Sequence, residues 1–222
     1  MSDKEKPNII KPAGAMAGAT LISRILGLIR EMCYARFMGD GKVAGAFLLA
    51  FMIPNLFRRL LGEGALSAAF IPIFKDKEIN EGEEAMWRSA NAVVSGLIVL
   101  ATFIIGLVLG VVSAVLAWGD PVGNIKLMLE LLRWMFPYMM FVSLAAVVMG
   151  MLNSRGHYFV PALAPALMNV VLIISVLVFA PMIKGGMDKK IFALAMGVLV
   201  AGMAQFLFQL PLLRKEGFRW HW

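Results

Sequence analysis

Cysteine and histidine are nearly absent from this chain: its 222 residues hold one Cys and two His. Cys33 alone builds neither a disulfide framework nor a thiolate metal site, and inside an apolar run it reads as a small filler. His157 sits in a predicted loop with no second imidazole at ligand spacing. A Ser/His/Asp set, a paired carboxylate site and a glycine-rich phosphate loop are missing too, so the chain is not expected to be an enzyme and no cofactor is expected. Charge is also scarce. Only 16% of residues are charged, against about 25% in a soluble domain. The net charge of +7 raises the question of nucleic acid, but the basic residues gather at the ends of apolar runs, so no nucleic-acid partner is expected. The opening MSDKEKPNIIKP is polar, and the small-residue run AGAMAGA precedes the apolar stretch, which is the wrong order for a cleaved signal peptide. Low-complexity tracts and soluble domains are not found.

What the chain has is hydrocarbon. Apolar residues make up 60% and mean hydropathy is +0.81. The run from Ala90 to Trp118 carries no charge at all, and about 20 apolar residues suffice to cross a bilayer core as helix. The runs are continuous rather than alternating, so helices are expected and a barrel is not. The fold class read from this is an all-α integral membrane protein, a bundle of six transmembrane helices. Residues 1–12 form a polar N-terminal segment, and residues 13–222 one membrane lobe with spans near 13–37, 43–61, 90–118, 129–153, 162–183 and 191–213. Trp87, Trp118, Trp220 and Trp222 fall at span ends, the interfacial aromatic pattern. Lys4, Lys6, Lys11, Lys75, Lys77, Arg88, Arg155, Arg214, Lys215 and Arg219 lie on one side, and Lys42, Lys126, Lys184, Lys189 and Lys190 on the other. The positive-inside rule then places both ends in the cytoplasm. Pro54, Pro137, Pro161 and Pro165 mark places where helices are expected to bend. Asn80 precedes Glu83 and Glu84, so a solvated interfacial helix is expected to start there.

Charges inside the first span raise the functional question, because each costs roughly 2.5–3.5 kcal/mol at a helix centre. In TLISRILGLIREMCY, residues 20–34, a turn of 100° per residue puts Thr20, Ser23, Arg24, Gly27, Arg30, Glu31 and Tyr34 within an arc of about 120°. Apolar side chains cover the rest of the wheel. Such a stripe belongs in a water-filled cavity or the bundle interior. Arg36 falls opposite, at the helix end, where it snorkels. The second span repeats the pattern in MIPNLFRRLLGEG, with Asn55, Arg58, Arg59 and Glu63 on one side. Arg24, Arg30, Arg58 and Arg59 outnumber Glu31 and Glu63, so the two helices present a cationic excess. Guanidinium stays charged when desolvated and suits phosphate oxygens in bidentate pairs. The residues alone therefore point to transport or binding of an anionic, phosphorylated substrate. Asn169, one turn after Pro165, reads as a cap for a freed carbonyl. Gln205 and Gln209 read as an interhelical hydrogen-bonding pair.

The segments SRILGLIRE, AFLLAFMIPNLFRRLLGEGALSAAFIPIF, FPYMMFVSLAAVVMGMLNSRGHYFVPALAPALMN and QFLFQLPLLRKEGF closely resemble the MurJ/MviN lipid II flippase family. This is a branch of the multidrug/oligosaccharidyl-lipid/polysaccharide exporter superfamily, and the resemblance runs from about Ala13 to Phe218. It implies one lobe of a two-lobe exporter in the bacterial inner membrane, working in peptidoglycan biosynthesis. The expected substrate is lipid II, an undecaprenyl-diphosphate-linked disaccharide-pentapeptide, flipped to the outer leaflet by alternating access. The expected partners are lipid II, membrane lipids and a C-terminal lobe, in cis or as a split partner. The family's essential cavity arginines match Arg24, Arg30 and Arg58, its following acidic residue Glu31, and the glutamate of its EGA segment Glu63. Ser23, Gly27, Asn55 and Asn169 join these as supporting or gating positions. The resemblance breaks at Gly45, where the family usually carries an aspartate, and in length, since family members are more than twice as long. Two rivals stay open: another polysaccharide-lipid flippase or exporter of the same superfamily, and a truncated or split non-transporting membrane subunit.

Overall fold

A computed structural model describes residues 10–60 and 65–221 of the chain. Among these, every regular element is helical: α1 Ile10–Met38, α2 Lys42–Arg58, α3 Ala65–Glu81, α4 Glu83–Trp118, α5 Gly123–Met135, α6 Tyr138–Ser154, α7 Phe159–Ile174, a π-helical turn Ser175–Phe179, α8 Ala180–Met182 and α9 Met187–Lys215. Continuous apolar sequence in hydrocarbon leaves the backbone only its own carbonyls as partners, and helix is the outcome. A helix occupies each segment marked as a span from sequence. Among the described residues, three are long and apolar enough to cross a membrane: α4, α7 through α8, and α9. The α5–α6 pair makes a fourth when counted as one bent span. The charged α1 and the 17-residue α2 fall short by composition or length. At about 1.5 Å per residue, the 36 residues of α4 reach about 54 Å, well beyond a hydrocarbon core of about 30 Å.

Proline shapes two of these helices. α5 and α6 meet at 43°, where Pro137 has no N–H to give. Met139 and Met140 there donate back only three residues, to Phe136 O and Pro137 O at 3.1 and 3.2 Å. The π turn at Ser175–Phe179 runs up to Pro181, which cannot bond the carbonyl one turn back. Local widening is a known way for a membrane helix to re-satisfy such carbonyls.

The central helix is α6, whose residues are mostly buried. One core joins α2, α5, α6, α7 and α9 around Phe47, Phe136, Tyr138 and Leu194. A second joins α3, α4, α6 and the C-terminal segment around Phe74, Met86, Met151 and Phe218. Glycine lets α9 approach closely. A methyl at Gly202 would lie 2.6 Å from Tyr138 Cδ2, and one at Gly197 would lie 2.2 Å from Ser175 Oγ. Small residues at such crossings are how membrane helices gain packing energy without a hydrophobic driving force. The outward faces carry exposed Val99, Phe103, Leu107 and Val111 on α4, and Leu28 and Met32 on α1. That apolar belt suits lipid, not water.

One end of the bundle is tied by ions. α6 ends in Arg155–Gly156 and α9 in Glu216–Gly217, with both glycines at positive φ, 85° and 99°. In each, the residue after glycine donates five residues back (His157 N to Leu152 O, 2.9 Å; Phe218 N to Leu213 O, 3.3 Å), closing a Schellman cap. The two cap residues then pair: Arg155 Nε donates to Glu216 Oε2 at 3.1 Å, and the same guanidinium reaches Glu83 at 2.8 Å and Glu78. His157 Nε2 meets Glu216 Oε1 at 2.8 Å. Beyond the cap, Phe218 packs edge-on against Trp87 at 5.7 Å, and Asn91 Nδ2 donates to Arg219 O at 2.9 Å. The C-terminal segment is thereby strapped across the start of α4. Asn80 does not start that helix. It lies in the last turn of α3 with its Nδ2 bonded to Asp76 at 2.7 Å, and the break falls at Gly82, whose φ of 87° favours glycine.

Glu216 and Glu78 at this junction titrate low. Hydrogen bonds from His157 and then Arg155 pull Glu216 below its ordinary value, and a bond from Lys75 does the same for Glu78. Groups depressed on folding stabilise above the unfolded value, about 4.5, and lose that contribution as pH falls through their lowered folded values. Acidification below the unfolded value, about 4.5, is therefore expected to lower amide protection factors in residues 216–221 and the end of α3. Arg155→Gln should bring the low protection to neutral pH, and protection factors independent of pH in the unmodified chain would refute the ion tie. In the membrane half, Gly202→Ala is expected to cost about 1–3 kcal/mol by overpacking against Tyr138, read as a lower thermal midpoint in detergent.

Candidate functional site

α1 packs chiefly on α7 and its π turn, and its polar stripe divides into two edges there. Ser23, Gly27 and Arg30 are half-buried and Tyr34 is buried, all toward the bundle, whereas Thr20, Arg24 and Glu31 are exposed. Asn169, buried on α7, joins the two helices: its Oδ1 accepts from Arg30 Nη1 at 2.9 Å and its Nδ2 donates to Ser23 O at 2.9 Å. Asn169 is thus an interhelical clamp instead of a cap for the carbonyl Pro165 frees. Gly27 packs toward the same clamp. A methyl there would lie 3.6 Å from Asn169 Nδ2, an ordinary van der Waals contact, so Gly27 faces α7 at the clamp.

The Arg30 guanidinium is held on several sides. Besides Asn169 it meets the Glu31 carboxylate and lies 5.7 Å from the Tyr34 ring centroid. Its side chain is 22% exposed, while Glu31 is 60% exposed, so the acid lies at the rim and the base reaches inward. Across from it on α2, Arg58 Nε donates to Asn55 Oδ1 at 2.8 Å, the i, i+3 spacing read from the sequence as one polar side.

These side chains share a cavity of about 400 Å³ walled by α1, α2, α6, α7 and α9. Its polar lining includes Arg30, Asn55, Arg58, Tyr138, Gln205 and Gln209, with Pro161, Pro165 and small Ala145, Ala146 and Ala164 making up much of the rest. Among the described lining residues there are two arginines and no carboxylate. The volume falls in the range of about 300–1,000 Å³ common for small-molecule sites. Two half-buried cations on one cavity wall favour an anion there.

Not every expected residue reaches this cavity. Arg24 borders a shallow open surface with Met16, Ala17, Thr20 and Leu21, and Arg59 is exposed at the end of α2. Glu63 lies outside the described residues. Gly45 is exposed on α2, and an added Cβ would meet nothing within 4 Å. Conversely, Gln205 and Gln209 on α9 and Tyr138 on α6 line the cavity, though the sequence gives the glutamines only a helix-packing role. Their i, i+4 spacing in an apolar span was the available signal.

Comparison with known proteins places this geometry. A family model described as lipid II flippase MurJ matches residues 34–222. A lipid II flippase MurJ of Burkholderia cenocepacia is 38% identical over 213 residues, covering 94% of this chain and 40% of that protein. A probable lipid II flippase MurJ of Rhizobium tropici is 40% identical over 206 residues, covering 89% and 38%. A solved structure titled lipid II flippase MurJ, inward closed conformation, superposes with a TM-score of 0.74 at 25% identity, covering 93% of this chain and 43% of its own. The chain spans about two fifths of the length of these relatives. All-helical and built of apolar spans, it is an integral membrane protein with the fold of one part of that structure, and it belongs to the MurJ lipid II flippase family.

Proposed function

We propose that this chain supplies the first lobe of a lipid II flippase in the bacterial inner membrane, and that its cavity holds the diphosphate–sugar headgroup. The observation that carries this reading is the cavity lining, with Arg30 and Arg58 inside and no carboxylate among the described lining residues. The Arg30 guanidinium keeps a donor to spare after its intrachain bonds. Arg30 Nε is buried with no partner among the described residues, and guanidinium has five N–H donors in all. A phosphate group takes up such donors in charge-assisted bonds.

The remaining site residues take graded roles. Asn169 and Asn55 aim Arg30 and Arg58, the Ser23 carbonyl anchors the clamp beside Gly27, and Glu31 biases the Arg30 guanidinium from the rim. Arg24, on the exposed edge of the stripe, meets the headgroup at the entrance. Arg59 and Glu63 act at the cytoplasmic mouth, and Arg59 contacts lipid phosphates. Both ends of the chain face the cytoplasm, following the excess of basic residues on that side. The opposing cavity wall belongs to a second lobe, in the same polypeptide or a partner one, against which this lobe rocks between inward and outward access. The substrate changes sides without covalent change.

Rescue of a conditional flippase depletion by the gene encoding this chain tests the reading. Loss of a hydrogen bond to a charged group costs about 1.5–3 kcal/mol, so Arg30→Ala and Arg58→Ala are expected to cut rescue by about tenfold or more at equal protein level. Arg24→Ala should be milder, in keeping with its exposed position. Full rescue by both the Arg30 and Arg58 variants would sink the headgroup clamp. Asn169→Ala should resemble Arg30→Ala in function, whereas Asn169→Asp, which keeps an acceptor for Arg30, should retain more activity.

A further inference from the structure

Gln205 and Gln209 stand one turn apart on α9, 6% and 1% exposed, and both line the cavity that holds Arg30 and Arg58. Gln209 Nε2 donates to Ala145 O at 3.2 Å and to the Gln205 backbone carbonyl at 3.1 Å. Two carbonyl acceptors on one nitrogen fix the amide's orientation, which turns Gln209 Oε1 away from both. Among the described residues that oxygen has no partner, and neither does Gln205 Nε2. A pair serving only to pack helices would close on itself or on neighbouring backbone, because a buried unpaired amide atom is costly in an apolar wall. Here one amide donor and one amide acceptor are left over on two residues that line the arginine cavity.

We propose that Gln205 and Gln209 form an uncharged subsite that takes a secondary amide of the headgroup, of the kind an N-acetylated amino sugar carries. This rests on the anion-binding reading above. A trans amide points its carbonyl and its N–H in opposite directions and so bridges partners on successive helix turns. The ligand carbonyl accepts from Gln205 Nε2, and the ligand N–H donates to Gln209 Oε1. Arg30 and Arg58 meanwhile take the diphosphate. The small Ala145 and Ala146 of α6 keep the wall flat beside the pair. Charge alone cannot tell one polyprenyl-diphosphate sugar from another. A site built to hydrogen-bond an amide can, because a sugar lacking it leaves both glutamine atoms unpaired.

The test uses the purified chain in lipid nanodiscs and three probes: undecaprenyl diphosphate, the same lipid bearing glucose, and the same lipid bearing N-acetylglucosamine. The unmodified chain is expected to prefer the N-acetyl lipid over the glucosyl lipid by about five- to tenfold. Gln205→Leu, near in size, should bring the N-acetyl lipid down to the glucosyl lipid's affinity. Its thermal midpoint should hold or rise, since it removes a buried orphan donor; Gln205→Met gives the same readout with a different shape. No preference in the unmodified chain, a preference surviving Gln205→Leu, or a fall in midpoint with equal weakening of all three probes would each overturn the proposal. Arg30→Ala reads the underlying premise separately. It should weaken all three lipids and keep the ratio, and if it weakens none the anion reading fails whatever the glutamines do.

Discussion

The clamp between Asn169 and α1 decides what the rest of the structure can do. α1 carries arginines into a bundle of apolar helices, and it leans on α7 with little else beside it. A single amide holds it by both ends: Oδ1 takes the Arg30 guanidinium and Nδ2 takes the Ser23 carbonyl. Without the clamp, Arg30 would keep a rim carboxylate and a tyrosine face beside it, and α1 would have little reason to keep one rotational setting. With it, the stripe is turned so that Arg30 enters the cavity while Arg24 and Glu31 stay at the open edge. A helix rotated by one residue would put a different charge inside, so the clamp works as a register device as much as a source of stability.

Much of this was legible in the sequence, because membrane proteins leave few alternatives. Long uncharged runs dictate helix, and the wheel positions of Arg30, Asn55 and Arg58 follow from 3.6 residues per turn. The structure brings those three into one cavity. Pro137 bends its span where the missing N–H demands it. The sequence could not show which edge of an arc of about 120° faces inward, since that depends on the neighbour. Arg24 and Arg30 look equivalent on a wheel, and only contact with Asn169 separates them.

The ion tie at the other end was invisible for a different reason. Arg155 and Glu216 are far apart in sequence, and each sits in an ordinary-looking SRGH or KEGF stretch. Their pairing comes from two helices ending at the same level with the same Schellman geometry, a coincidence of helix lengths that no local pattern records. Asn80 misled for a related reason. Asn ahead of two glutamates is a fair helix start, but Gly82 supplies a backbone conformation that a continuing helix cannot absorb, and the break moved there.

The two ends put opposite demands on the same helices. Where α6 and α9 end, every formal charge of the tie finds its opposite, and the joint is closed. Further along the same two helices, the wall they build with α1, α2 and α7 leaves Arg30 Nε, Gln205 Nε2 and Gln209 Oε1 without partners among the described residues. Stability alone would not produce that contrast, since apolar side chains of similar volume would fill the wall at no polar cost. The unpaired atoms persist because close packing of α9 through Gly197 and Gly202 and the capped, ion-tied ends hold the backbone in place around them. A cavity wall rigid enough to keep polar atoms unsatisfied is preorganised for a ligand that satisfies them. The tie at one end and the unmet hydrogen bonds in the cavity are therefore two sides of one constraint on α6 and α9.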